Sequence, residues 1–287
     1  MARLFGLIGN RADLAGRALG SEAEALRVRA RAGAQLGWGI GFYQGGEVLM
    51  RRRPIDGDEI DVAKLASDVR ADVLIGHVRS ATVGTLRTEN THPFRYRQWL
   101  FAQTGTVSHF DAVRERLVQS VPEFLRGGIR GETDSEIFFH VFLSFLHDAG
   151  RLNDGSLDAP VVREALRSTL AVVDGMTSEV GGDASEVNIL VTNGETIVAL
   201  HRGKPMSYRV FSGKGDADQI IGDDAPLRRK TPELSQMHFV LVASDFDAET
   251  EGGRSVHPDA GPSRWKPVAD RAIVTLARGT DPQIEAL

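Results

Sequence analysis

Arg3-Leu4-Phe5-Gly6-Leu7-Ile8-Gly9 opens the chain with an apolar run closed by glycine, the pattern of a buried strand. A strand this close to a terminus is unusual, because the first residues of a domain are poorly ordered unless a sheet ties them down. The chain continues with Leu14, Ala18, Ala25 and Val28 spaced among charges, which predicts a helix from Asp13 to Arg31. Trp38-Gly39-Ile40-Gly41-Phe42-Tyr43 returns to strand character, and Gly45-Gly46 predicts a hairpin turn into Glu47 to Met50. A helix is expected at Asp61 to Arg70. Two further strands are expected, at Val73 to Arg79 and at Trp99 to Gln103, the latter ending at Gly105.

The middle of the chain changes period. Phe110 to Gln119, Thr133 to His147 and Pro160 to Val173 predict helices, and Ile137, Phe138, Val141, Phe142, Phe145 and Leu146 form a core stripe on the second. Strands then return at Val187 to Thr192 and Thr196 to His201, joined by Asn193-Gly194, a strong hairpin signal. Ser207 to Val210, His238 to Ala243 and Ala272 to Leu276 are also strand-like, whereas Gly213 to Asp224 and Ala248 to Pro262 are expected to be mobile loops. Strands, a block of helices and strands again imply an α+β fold in which two mostly antiparallel sheets lie between helices. The 287 residues are expected to form a single domain.

Composition narrows the function. The net charge of −5 and pI near 5.9 give no electrostatic reason to bind nucleic acid or an anionic membrane. No apolar run reaches the roughly 18 residues of a spanning helix, and Met-Ala-Arg-Leu-Phe-Gly lacks the layout of a signal peptide, so a cytoplasmic location is expected. Zero cysteines exclude disulfides, thiolate metal sites and a cysteine nucleophile. His77, His140 and His147 lack metal-ligand spacing, and neither a metal nor a cofactor is expected. Arg51-Arg52-Arg53 has no aromatic interleaving and is expected to be a solvated strand end. Ser244 has no G-x-S-x-G elbow around it.

Four stretches in order resemble the class II glutamine amidotransferases, and within them the short stand-alone group that includes the ergothioneine-pathway γ-glutamyl hydrolase. They are Ala2-Arg3-Leu4-Phe5-Gly6, His77-Val78-Arg79-Ser80-Ala81-Thr82-Val83-Gly84, Asn90-Thr91-His92-Pro93-Phe94 and Gly131-Glu132-Thr133-Asp134-Ser135-Glu136. The resemblance is close over residues 1–200 and weak over 201–287. It implies the four-layer αββα sandwich of the Ntn hydrolases.

In that family the second residue is a cysteine exposed by methionine removal. Its thiol attacks the side-chain amide, and its own α-amino group, with an ordinary pKa of about 7.7–8.0, relays the proton. The matching residue here is Ala2, whose methyl group cannot attack. The family's oxyanion hole combines an asparagine amide with a glycine N–H, and the matching residues here are Thr104 and Gly105. The resemblance further implies that Arg79 grips an α-carboxylate, that Asp134 accepts from an α-ammonium group, and that Thr82 and the Trp38 region shape the pocket.

Plainer readings stand beside these. Asp134 at a helix start suits dipole complementation with Thr133 as N-cap, Arg79 suits a structural ion pair, and His92 suits a turn. Four functions remain open at this point: a non-catalytic binder of glutamine or a γ-glutamyl compound, or an inactive subunit; an amide hydrolase whose nucleophile has been substituted; an interaction protein with a vestigial pocket and a protein partner; and an enzyme with another nucleophile at a processed terminus.

Overall fold

The computed structural model of the chain describes residues 2–30, 34–80, 85–154, 159–229, 234, 236–244 and 264–287. Its first half contains strands β1 (Arg3–Gly9), β2 (Val28–Arg29), β3 (Leu36–Gln44), β4 (Glu47–Gly57), β5 (Glu59–Ile60), β6 (Val73–Arg79), β7 (Phe94–Tyr96) and β8 (Trp99–Thr106). Short helices α1 (Ala15–Gly20), α2 (Ala23–Leu26) and α3 (Val62–Leu65) lie among them. The helical block is α4 (Phe110–Ser120), α5 (Glu123–Arg126), α6 (Asp134–Asp148) and α7 (Ala159–Glu179). Strands β9 (Glu186–Thr192), β10 (Thr196–Arg202) and β11 (Met206–Ser212) follow, then α8 (Gly213–Ile221) and α9 (Ala225–Arg228), then β12 (His238–Ser244), β13 (Lys266–Pro267), β14 (Ala272–Ala277) and β15 (Gln283–Ala286).

The strands form a seven-stranded sheet in the order β13-β11-β12-β1-β6-β3-β4 and a six-stranded sheet in the order β15-β14-β10-β9-β8-β7. Both are antiparallel throughout. Because side chains alternate across a strand, β1 sends Leu4 and Ile8 into the layer between the sheets and Phe5 and Leu7 into the layer under α1–α3 and α8. Strand β8 does the same in the other sheet, with Leu100 and Ala102 between the sheets and Trp99 and Phe101 beneath α4, α6 and α7. Three apolar layers therefore separate four structural ones, an α+β αββα sandwich. Residues 201–287 supply strands to both sheets.

Several expectations change in three dimensions. The helix read from Asp13 to Arg31 is broken into α1 and α2, and Val28–Arg29 leaves it to pair with Glu59–Ile60. The helix read from Asp61 to Arg70 is regular only over α3, with Asp61 as its N-cap accepting from the Lys64 N–H. The loop expected at Gly213 to Asp224 begins with nine helical residues, because Ala217, Ile220 and Ile221 bury against the outer core and Asp216 accepts from the Ser212 N–H at 2.9 Å. Ala248 to Pro262 lies outside the described residues. Arg51-Arg52-Arg53 is not uniformly solvated: Arg51 and Arg53 pair at the surface with Asp68 and Asp56, but Arg52 is partly buried and donates to the Thr91 carbonyl at 3.1 Å. Among the described residues no helix is long and apolar enough to cross a membrane.

A buried polar knot fastens α8 to the sheet. Arg209, on β11, pairs with Glu22 and with Asp216, donates to Gln219 at 2.9 Å and lies over the Phe211 ring, while the Trp265 indole donates to Glu22 at 2.7 Å. Replacing one partner of a buried ion pair strands the other charge without water, at a cost of about 3–5 kcal/mol. Arg209→Met is therefore expected to lower the unfolding free energy by about that amount, whereas Arg228→Met, at an exposed pair, changes it by less than about 1 kcal/mol. Urea unfolding curves of the two variants check this, and equal losses would remove the energetic role assigned to the knot.

Candidate functional site

At the end where β1 begins and β6 and β8 finish lies a cavity of about 90 Å³. Strand register builds its walls. Arg3 pairs with Val78 and Leu4 with His77, so Ala2 and Arg79 meet at the same end of the sheet. Ala2 continues the inward-facing set of Leu4 and Ile8, Arg79 continues that of Val73 and Ile75, and Thr104 continues that of Leu100 and Ala102. All three line the cavity, together with Gly105, Thr133 and Asp134. Residues far apart in the chain are thus brought to one opening by the alternation of three strands and the start of one helix.

Asp134 is the first residue of α6, behind an N-cap in which the Thr133 hydroxyl accepts from the Glu136 N–H at 3.2 Å. Its carboxylate accepts from the Val107 N–H at 2.7 Å and from the Ser135 hydroxyl at 3.3 Å, and it is almost wholly buried. Burial pushes its pKa up, and the bonds from Val107 and Ser135 oppose that rise. Arg79 is 4% exposed and donates to the Thr85 carbonyl at 3.0 Å. Burial lowers its pKa, while the attraction of Asp134 raises it. The result is a buried cation and a buried carboxylate facing one small cavity, chemistry suited to a zwitterionic head group.

The loop carrying Asp134 is held from behind. Glu136 accepts from the N–H groups of Arg130 at 2.8 Å and Gly131 at 2.6 Å, and the Asn90 carboxamide accepts from the Glu132 N–H at 2.9 Å. Asn90 also donates to the Thr85 carbonyl, the same oxygen that receives Arg79. Two of the sequence motifs are therefore mutually pinned, which explains why Asn90 and Glu136 belong to them although neither lines the cavity. Gly105 has a φ of +88°, and a Cβ there would lie 2.0 Å from the Glu186 carbonyl oxygen, so only glycine fits. At Gly39 a Cβ would lie 1.9 Å from the His92 carbonyl oxygen, which is how closely the loop of residues 90–93 presses on β3.

Of the residues expected to shape the pocket, Trp38 is not among those that line it. Trp38 faces the opposite side of the seven-stranded sheet, in the outer core with Leu36 and Ile40, and its indole donates to Asp56 at 2.7 Å. Strand alternation is the reason: Gly37 and Gly39, not Trp38, face inward on β3. Thr82 lies outside the described residues. Sequence reasoning in turn missed His77, His92 and Gln103, all of which line the cavity. His77 carried a usable signal, since it precedes Arg79 by two residues on an apolar strand and so shares its face. The rings of His77 and His92 meet edge to face at 4.5 Å. Burial drives both imidazoles toward the neutral form, His77 to about 3. Among the described residues no group of three or more His, Asp or Glu is arranged to hold a metal ion.

A family model described as class-II glutamine amidotransferases matches residues 1–245. The Saccharomyces cerevisiae protein named "Probable glutamine amidotransferase DUG3" is 28% identical over 259 residues, covering 85% of this chain and 70% of its own length. A Streptococcus pyogenes glutamine–fructose-6-phosphate aminotransferase is 27% identical over 189 residues, but that match covers 64% of this chain and only 27% of the relative. Among solved structures, a glutamine aminotransferase class-II domain protein from Silicibacter pomeroyi superposes with a TM-score of 0.59 at 16% identity, covering 99% of both chains. A predicted glutamine amidotransferase from Pseudomonas aeruginosa gives 0.56 at 19% identity, covering 99% of this chain and all of the other.

The buried imidazoles make stability depend on pH. Between about 3 and 6.5 the unfolded chain binds a proton at His77 that the folded chain rejects, so His77 contributes stability that is present above 6.5 and lost as pH falls through that window. Asp134 and Glu136, whose pKa values are raised, act with the opposite sign. His77→Phe is expected to flatten the loss of stability as pH is lowered from 6.5 to about 4. Urea midpoints of both proteins across that range test it; parallel curves would show that His77 titrates alike in the folded and unfolded chains.

Proposed function

This chain belongs to the class-II glutamine amidotransferases, and we propose that it binds glutamine or a γ-glutamyl compound without cleaving it. The observation that carries the proposal is the sharing of one cavity by Arg79, Asp134, Ala2 and Thr104. In this reading Arg79 takes the ligand's α-carboxylate and Asp134 its α-ammonium group, each replacing water with a charge-assisted hydrogen bond in a site of low dielectric. The ligand's side-chain amide then points toward Ala2, where a methyl group offers neither lone pair nor acidic proton. Attack on an amide needs a nucleophile within reach and donors aimed at the developing oxyanion. Gly105 supplies a backbone N–H at that end, but the Thr104 hydroxyl is shorter than a carboxamide.

A substituted hydrolase is the competing reading, and the intact left-handed geometry at Gly105 favours it. The two are separated by restoring groups in turn. Glutaminase activity is expected to be absent in the unaltered protein. It should be weak in Ala2→Cys and higher by about 10²–10³-fold in Ala2→Cys with Thr104→Asn, the usual effect of one oxyanion donor. Full activity in Ala2→Cys alone would favour the substituted hydrolase.

Binding has its own test. Titration calorimetry is expected to detect L-glutamine or a γ-glutamyl amide, and Arg79→Ala should weaken it about 10- to 100-fold, the worth of hydrogen bonds to a charged group. An Arg79→Ala variant that binds as tightly as the parent would end the proposal.

A further inference from the structure

The cavity is also lined by polar groups to which the amino-acid reading gives no role. His77, His92 and Gln103 are each at most 4% exposed and line the same cavity. Among the described residues, neither ring nitrogen of either histidine and neither polar atom of the Gln103 carboxamide has a hydrogen-bond partner. Six orphaned polar atoms on three buried side chains that line one cavity are exceptional, because interior polar groups are almost always paired.

We infer that His77, His92 and Gln103 form an interior hydration site, built to hold ordered water beneath the Arg79 clamp. The donor and acceptor balance selects the ligand class. A neutral imidazole offers one donor and one acceptor, and a carboxamide offers two N–H donors and an acceptor oxygen with two lone pairs, so the three side chains together present equal numbers of each. An anion would use the donors and leave the acceptors unpaired. A cation would use the acceptors alone and would be repelled by the buried Arg79 guanidinium, whose charge already acts on both imidazoles. No third metal-ligating side chain joins the two histidines among the described residues. Water satisfies donors and acceptors at once, and a single molecule needs roughly 10–15 Å³, well within the 90 Å³ of the cavity.

This site is independent of whether an amino acid binds at Arg79, so its test does not depend on that reading. A high-resolution crystal structure of the protein without added ligand should show ordered solvent within about 3.2 Å of at least two of these side chains. The same solvent should remain after soaking with L-glutamine. In solution, water-proton relaxation dispersion should show the loss of at least one long-lived internal water in the double variant His77→Phe with His92→Phe. Gln103→Met provides the same readout should the double variant not fold. Imidazole nitrogens that bond only to protein atoms would overturn the inference. So would density present only after the soak, or unchanged relaxation dispersion in a folded variant.

Discussion

The pairing of β1 between β12 and β6, at the middle of the seven-stranded sheet, is the constraint on which the rest of the molecule depends. A terminal segment is held there by two antiparallel ladders and by apolar side chains on both faces. The consequence reaches the chemistry directly. With Leu4 fixed opposite His77, the residue before Arg3 has no choice but to lie beside Arg79 at the mouth of the inter-sheet layer. A one-residue slip would turn Ala2 to the helical side and send Phe5 into the gap between the sheets. The site is therefore a property of strand register before it is a property of any side chain.

Around that mouth the fold concentrates charge and polarity that would be costly elsewhere. Arg79, Asp134, Glu136, His77 and His92 are all nearly buried, and each is displaced from its ordinary titration behaviour mainly by loss of water. Carbonyls and backbone N–H groups offset part of the cost. The Thr85 carbonyl serves both Arg79 and Asn90, and the N–H groups of Arg130, Gly131 and Val107 serve Glu136 and Asp134. Such an arrangement is rigid because nearly every charged group is held by main chain. The imidazole pair and Gln103 differ in having no such partner among the described residues, which is why they point to solvent held inside.

Much of this was legible in the sequence. Strands β1, β3, β6 and β10, the long helices α4, α6 and α7, and the glycine turn at Gly45-Gly46 follow from hydrophobic period and turn chemistry, which are local. The motifs around Ala2, Arg79 and Asp134 were also visible, since each is a short contiguous run. What failed was equally physical. Gly213-Lys214-Gly215 looks like a loop by propensity, yet α8 forms because Arg209 and the outer core receive one of its faces. The Asp13–Arg31 helix breaks because Glu22 turns into the buried knot with Arg209 and Trp265, a contact spanning nearly the whole chain.

By itself the sequence determined which chemistry is present and which is missing: an arginine and an aspartate in recognisable settings, a methyl group at the second residue, and no thiol anywhere. Those are facts of composition and short-range order, and no folding is needed to state them. Only the tertiary structure decided that Arg79, Asp134, Thr104 and Ala2 open onto one cavity, that Trp38 turns its back on it, and that His77 and His92 meet in its wall. Side-chain direction in a sheet alternates residue by residue, and which alternate set faces the gap is fixed by pairing between residues up to 238 positions apart, information that no local window contains.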